Sequence, residues 1–286
     1  MSDLADTRIA VVGLGLMGGS LAGALRDRCR TVVGVARRTE TIEMALARGL
    51  VQRGTTDLAS GVRQVDVVVL ATPVRVILRL LGEIAPLLPE GCLLMDLGST
   101  KAQIVARMAA LPDHVQPLGG HPMCGKEVSG IAAADPALYQ GRTFVLTPLP
   151  RTSEAALTLG RALVEVIGAR SLILAPDRHD RLVATVSHLP YLLACALVRV
   201  ADSSTSHDPL MWKIVAGGFR DTSRVAGSEV TMMLDILMTN HRQVGQALHA
   251  CIGQLQRLVR LVEDGDEERL REELSYVRET RREMYP

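Results

Sequence analysis

Arg8-Ile-Ala-Val-Val-Gly-Leu-Gly-Leu-Met-Gly-Gly-Ser-Leu-Ala22 is the stretch that decides the fold of this 286-residue chain. Its first five residues are apolar or β-branched after Arg8 and read as a buried strand. Gly13-x-Gly15-x-x-Gly18 follows directly, and a helix is predicted from Gly15 to Arg28. A lone glycine pattern of this kind is weak evidence, because many such matches are ordinary tight turns. Here the strand before it, the helix after it and a second strand at Thr31–Ala36 complete a βαβ unit. The chemistry needs Gly13 for the turn, Gly15 for close approach to a pyrophosphate and Gly18 for helix–strand packing. The freed N–H groups and the helix dipole then hold phosphate, with Leu16 and Met17 opening the helix. A dinucleotide site is expected at Gly13, Gly15, Leu16, Met17 and Gly18.

Outward from that turn, strands and helices alternate. A helix is read near Glu40–Arg48, a strand at Asp66–Ala71 closed by Thr72-Pro73, a helix at Val76–Leu88 and a strand at Cys92–Asp96. Gln116–Gly120, Thr143–Thr147 and Ser171–Ala175 read as further strands, with a helix near Ser153–Ile167 between the last two. The strand runs are apolar throughout, as in a parallel sheet covered on both faces. The expected fold class is α/β, a Rossmann-type doubly wound sheet over residues 1–175. After Pro176 the strand signals stop, and residues 176–286 read as an all-helical domain with apolar positions at helical spacing, such as Leu248, Ile252, Leu255 and Val259. The charge-dense segment Glu263–Arg282 is expected to be a solvated helix with Leu270, Leu274 and Val277 as its inner stripe.

Thirty-two basic residues against 31 acidic ones give a net charge of +1, which removes the basic footprint of a nucleic-acid binder. The five cysteines, Cys29, Cys92, Cys124, Cys195 and Cys251, are odd in number and form no Cys-x-x-Cys. That argues against a disulfide framework and against a bound metal, and fits a reducing compartment. The N-terminus lacks a signal-peptide pattern, and no uninterrupted apolar run reaches the roughly 18 residues of a membrane span. A cytoplasmic protein that binds neither membrane nor nucleic acid is expected.

The cofactor choice turns on the end of the second strand. An NAD site usually carries Asp or Glu there. This chain has Val35-Ala36-Arg37-Arg38 instead, so two guanidiniums are placed to grip a 2′-phosphate. NADP is preferred on this argument, with NAD possible if the arginines are only solvated loop residues. Ligands in such folds sit at the carboxyl ends of strands, which draws attention to Thr72 and Pro73, to Asp96-Leu-Gly-Ser-Thr-Lys101, and to Gly119-Gly-His-Pro-Met-Cys-Gly125. His121 is the candidate general base, in what its flanking glycines and proline predict to be an open turn. Ser99 has a structural alternative, since Thr100 and Gln103 make a capping box for the next helix. His188, in Ser187-His-Leu-Pro190, reads equally as a satisfied core histidine. Arg220 and Arg224 share a helix face, where they would clamp a carboxylate or pair with Asp221 and Glu229.

Gly-Leu-Gly-Leu-Met-Gly-Gly-Ser-Leu-Ala at 13–22, Asp-Leu-Gly-Ser-Thr-Lys at 96–101, Gly-Gly-His-Pro-Met-Cys-Gly at 119–125, Ser-His-Leu-Pro at 187–190 and Gly-Gly-Phe-Arg-Asp-Thr-Ser-Arg at 217–224 occur in one order. Together they resemble the prephenate/arogenate dehydrogenase family of tyrosine biosynthesis, from about residue 8 to about residue 245. The resemblance implies a helical domain through which two chains pair, and oxidative decarboxylation of a cyclohexadienol. It implies that His121 takes the ring-hydroxyl proton, that Arg224 holds a substrate carboxylate, and that Ser99 and His188 line the active site. A pocket-lining role for Cys124 is expected, and Glu127 is placed to meet the amine of arogenate. The chain is read as ending with the helical domain, so that feedback by tyrosine would act at the active site itself. Two alternatives are weighed against this: another dehydrogenase of the same architecture, such as a β-hydroxyacid dehydrogenase or imine reductase, and a non-catalytic nucleotide sensor. The Gly-Gly-His-Pro segment argues against the first, and the joint presence of His121, Ser99, His188 and Arg224 against the second.

Overall fold

A computed structural model describes residues 4–205, 208 and 210–284. It divides into two compact units, residues 1–241 and 242–286. The first opens with β1 (Arg8–Val12), α1 (Leu16–Leu25), β2 (Thr31–Val35), α2 (Thr39–Ala47), β3 (Arg53–Thr55) and α3 (Leu58–Val62). It continues with β4 (Val67–Leu70), α4 (Val74–Ile84), β5 (Leu93–Asp96), α5 (Ala102–Ala109), β6 (Gln116–Pro122), β7 (Thr143–Pro148), α6 (Glu154–Val166) and β8 (Arg170–Ile173). The strands form one sheet in the order β3-β2-β1-β4-β5-β6-β7-β8. Every pair is parallel except β6 with β7. This is the doubly wound order, extended past β6 by two strands.

The unbroken apolar runs follow from burial on both faces. Ile9 and Val11 of β1 join Leu21, Leu25 and Leu163 in one core, while Ala10 and Val12 join Ile77, Leu81, Ile104 and Met108 in the other. Each buried Val, Leu, Ile or Met side chain among them contributes about 1.5–3 kcal/mol. The short β3 and α3 are not anticipated by the sequence reading, because Arg53-Gly-Thr55 is too short and too polar to register as a strand. β3 forms by pairing with β2 at the sheet edge, and Asp57 caps α3 by accepting from the N–H groups of Ala59 and Ser60.

The segment between β6 and β7 is fastened to the first two helices. The Arg48 guanidinium donates to the carbonyls of Ile131, Ala132 and Ala134 at 2.5, 3.2 and 2.7 Å. The Tyr139 hydroxyl donates to the carbonyl of Met17 at 2.7 Å, and the Asp135 N–H to Ser20 Oγ at 2.8 Å.

Beyond β8 the described chain is helical. α7 (Pro176–Val183) runs through a π-helical turn, Ala184–His188, into α8 (Leu189–Thr205), and α9 (Gly217–Ser223) and α10 (Val230–Thr239) follow. α10 packs on α4, and its Asp235 carboxylate accepts from the Arg75 N–H at 3.1 Å in the first turn of α4. Residues 176–205 are long and apolar enough, by length and composition alone, to cross a membrane, although core helices of soluble proteins pass the same test. The expectation that no segment qualifies rested on uninterrupted apolar runs, which this helix interrupts with charges. The second unit comprises α11 (His241–Glu263) and α12 (Glu267–Met284), joined by an Arg257–Glu273 ion pair at 2.7 Å. Its predicted inner stripe is covered only in part: Leu270 is half-buried, but Leu274 and Val277 are exposed, as are Ile252, Leu255 and Val259 of α11.

Candidate active site

The glycine turn joins β1 to α1. Gly13 sits at φ +102°, and a Cβ there would lie 2.7 Å from Thr72 Cγ2 and 2.8 Å from the carbonyl oxygen of Ala71. Its N–H donates to the carbonyl of Val35 at 2.8 Å. A Cβ on Gly18 would overlap the carbonyl oxygen of Gly13, whereas one on Gly15 would meet open space. Gly15 is also the N-cap of α1 and gives it no side-chain cap, so first-turn N–H groups are available to an anion. Leu16 is buried and Met17 half-buried beneath the turn. At the end of β4 the buried Thr72 Oγ has no hydrogen-bond partner, and Pro73 stands at the N-cap position of α4 without a side-chain cap. Arg37 and Arg38 stand exposed just beyond β2. A positive-φ glycine, an open approach at Gly15 and an unsatisfied hydroxyl at the neighbouring strand end fit a bound dinucleotide.

Two elements further along the sheet, Lys101 is wholly buried and ion-paired with Asp96. Its Nζ also donates to the carbonyl of Gly120 at 2.6 Å. Asp96 in turn accepts from the N–H groups of Gly98 at 2.7 Å and Gly120 at 3.1 Å. This box pins the loop that carries the half-buried Ser99 against β6. A buried lysine is tolerated only when paired and hydrogen-bonded in this way.

His121 does not lie in an open turn. β6 continues through it to Pro122, pairing His121 with Val145 of antiparallel β7, and leaves the side chain 9% exposed. Burial first, and then His179, Lys101 and His188, push its pKa well below the ordinary histidine value. Its Nδ1 is 2.8 Å from Nε2 of His179, whose Nδ1 is 2.8 Å from Asp180 Oδ1.

The capping box proposed for Thr100 and Gln103 is absent. The cap comes from α7, where the Asp180 carboxylate accepts from the N–H groups of Lys101 at 2.7 Å and Ala102 at 2.9 Å. Thr100 Oγ1 bonds Thr239 Oγ1 at 2.9 Å, and Gln103 Nε2 donates to the Thr239 carbonyl at 3.0 Å. His188 is delivered inward by the π-helical turn and is 1% exposed. Such insertions recur at functional sites. Burial lowers its pKa to about 4, and its Nδ1 lies 3.3 Å from Asn240 Nδ2, which donates to the Asp180 carbonyl.

Arg224 is exposed and ion-paired with Glu127, and Arg220 is exposed on α9. The surface pairing of these arginines with Glu229 does not form, because Glu229 caps α10 through the N–H groups of Thr231 and Met232. Cys124 is half-buried, with burial raising its thiol to about 11, so it is no nucleophile near neutral pH. Among the described residues no group of three His, Cys, Asp or Glu is placed to hold a metal ion.

Residues 21–173 match the family described as "Prephenate dehydrogenase, nucleotide-binding domain". Residues 175–276 match the one described as "Prephenate dehydrogenase, dimerization domain". The chain belongs to the prephenate dehydrogenase family. It is 33% identical to a prephenate dehydrogenase of Bacillus subtilis over 274 residues, which cover 94% of this chain and 74% of that protein. The prephenate dehydrogenase of A. aeolicus, solved in complex with hydroxyphenyl propionate and NAD+, superposes with a TM-score of 0.88 at 31% identity, covering 97% of this chain and 98% of that one. An arogenate dehydrogenase from Synechocystis superposes with a TM-score of 0.84, also at 31% identity, over 97% and 99% of the two chains.

Within this prephenate dehydrogenase fold the structure gathers His121, Lys101 and the Ser99 loop at the ends of β5 and β6, and links His188 through Asn240 to the backbone carbonyl of Asp180, whose carboxylate stands behind His179. The Gly13–Gly18 turn, Thr72 and the two arginines occupy the strand ends on the β2 side. Sequence reasoning missed His179 and Asp180. They lie in Pro-Asp-Arg-His-Asp-Arg181, which reads as a polar, solvated helix start, and only the fold shows that one face of it is buried.

Proposed function

We propose that this chain oxidises and decarboxylates a cyclohexadienol, prephenate or arogenate, as a step of tyrosine biosynthesis. The observation that carries the reading is His121: a neutral, buried imidazole at a strand end, beside the loop of Ser99. A neutral imidazole at pH 7 accepts a proton without first having to lose one. His121 Nε2 takes the proton of the ring hydroxyl as the carbon bearing it becomes a carbonyl. A bound nicotinamide supplies the hydride acceptor for that carbon. The ring carboxylate leaves as CO₂, its bonding electrons complete the aromatic ring, and the carbonyl oxygen takes its proton back from His121 to become the phenol hydroxyl. Ser99 and His188 line the pocket, and Arg224, with Arg220 on the same helix face, takes a substrate carboxylate by exchanging its bond to Glu127.

The cofactor fit described above supports a dinucleotide held on α1, and the exposed Arg37 and Arg38 favour NADP over NAD. Glu127 beside Arg224 gives the site an anion for an amine as well as a cation for a carboxylate, which favours arogenate as an accepted substrate. We place the boundary between the cofactor-binding and helical domains at 175/176. The helical domain pairs two chains, which accounts for the apolar face of residues 176–205 without a membrane, in a cytoplasmic enzyme.

The test is a matrix assay of both substrates against both cofactors, following reduced nicotinamide by absorbance. Turnover of at least one substrate is expected, with NADP preferred. His121→Asn should reduce turnover by about 10²–10⁴-fold. No turnover in any combination, or full activity in the His121 variant, overturns the reading.

A further inference from the structure

Behind His121 two side chains stand in line, His179 and then Asp180. The Asp180 carboxylate accepts from two backbone N–H groups, those of Lys101 and Ala102, and its Oδ1 also faces His179 Nδ1 at 2.8 Å. His179 is 0% exposed, and its Nε2 lies 2.8 Å from His121 Nδ1. The two imidazoles meet edge to face, with centroids 5.0 Å apart and planes at 71°, so the bond runs along a ring edge of at least one of them.

The protons in this line follow from donor counting. An ionised carboxylate only accepts, so the proton between Asp180 and His179 belongs to His179 Nδ1. A neutral imidazole has one N–H, which leaves His179 Nε2 as an acceptor. His121 Nδ1 must then be the donor, and His121 Nε2 is left with a bare lone pair. The opposite arrangement would need a doubly protonated His179. That second cation would sit, fully buried, in a cluster that already holds the Lys101 ammonium. The other group acting on His121 is His188, from the π-helical turn, while the Lys101 ammonium is paired with Asp96, which also accepts from two backbone N–H groups.

We infer that His179 and Asp180 are positioning residues that lock His121 in its Nδ1–H form and so present Nε2 to the substrate as the proton acceptor. The inference rests on the reading of His121 as the base. When His121 Nε2 takes a proton, the Nδ1–H···His179 bond strengthens, because Asp180 polarises His179 from behind. Neither residue touches substrate or cofactor in this scheme.

The test reads the tautomer directly, without substrate. In protein carrying ¹⁵N-histidine, with His121 assigned by its loss in His121→Asn, long-range ¹H–¹⁵N correlations should show a protonated Nδ1 and a bare Nε2. A protonated Nε2 in the unliganded enzyme overturns the proposal. His179→Leu removes the acceptor. It should populate the Nε2–H form and lower kcat by about 10²-fold, with KM for substrate and dinucleotide within about twofold. Its acidic limb of kcat/KM should move, because His179 and its bond to Nδ1 no longer act on the His121 imidazole. His179→Gln, whose side-chain carbonyl accepts from His121 Nδ1, should restore most of the rate. A His179→Leu enzyme that loses thermal stability but keeps its kcat and its pH limb assigns His179 to packing alone and overturns the proposal. Failure of both substrates in the matrix assay would remove the proposed reaction and leave the tautomer result standing, so the two readings fail separately.

Discussion

Arg37 and Arg38 stand in solvent just past β2, where a site selective for NAD would hold a carboxylate. On the proposed NADP preference their effect is electrostatic and therefore reversible by charge. Arg37→Glu should raise KM for NADP by about tenfold or more, the equivalent of about 1.4 kcal/mol, and change KM for NAD far less. Equal effects on the two cofactors would assign Arg37 to general folding or to adenine stacking. At this scale the sequence is legible in residue type and not in environment. His121 stands out as a base from its place at a strand end, but its burial depends on β7 arriving antiparallel from across the sheet. His179 and Asp180 carry no local signal, because the partners that give them meaning lie 58 to 79 positions away in the chain.

At the scale of elements, two glycines of one turn make opposite predictions. Gly18→Ala places a methyl group on the Gly13 carbonyl, with the Ala71 side chain also close. It should destabilise the fold by about 1–3 kcal/mol, read as a lowered urea midpoint. Gly15→Ala meets no protein atom and keeps an extended backbone, φ −98°. It should leave the urea midpoint unchanged while weakening dinucleotide binding, measured by titration calorimetry. Loss of stability in Gly15→Ala, or unchanged affinity, would mean that the pyrophosphate does not pass there. The core strands of the sheet are readable from sequence because both faces are buried and their runs are unbroken. β3 is not, since three mixed residues hold no period. The cap of α5 is misread for a different reason: Thr100 and Gln103 have the right spacing for a box, but a carboxylate from α7 reaches the same N–H groups and displaces it. The tertiary partner wins over the local one.

For the molecule as a whole, buried neutral histidines set the response to acid. His188 titrates near 4 in the folded protein and near 6.5 when unfolded. Between these values the unfolded chain binds the proton and the folded one does not, so stability rises with pH in that window. It is fully present above about pH 6.5 and is lost towards pH 4, at about 1.4 kcal/mol per unit for each such group. His121 acts in the same direction. The urea midpoint should therefore fall steadily from pH 7 to pH 5, and His188→Asn should remove part of that slope. A profile flat over this range would contradict neutral burial. Association is the second whole-molecule property. Val200 and Val230 are 65% and 70% exposed in the single chain, and the family description assigns this half to dimerisation. A Val200→Lys, Val230→Lys double variant should sediment at 30.8 kDa, with the unaltered chain at twice that mass. If the variant keeps the mass of the unaltered chain, the contact lies on another face.

The three carbonyls gripped by Arg48 have a consequence for how such enzymes diverge. Arg48 follows α2, yet through Ile131, Ala132 and Ala134 it sets the lie of the same connection that carries Glu127. On the proposed role of Glu127, a lineage can therefore retune its preference between the two substrates without altering any residue that meets them. Because the three groups that Arg48 holds are main-chain carbonyls, which every residue supplies, a change at position 48 should shift this connection without any matching change at 131–134.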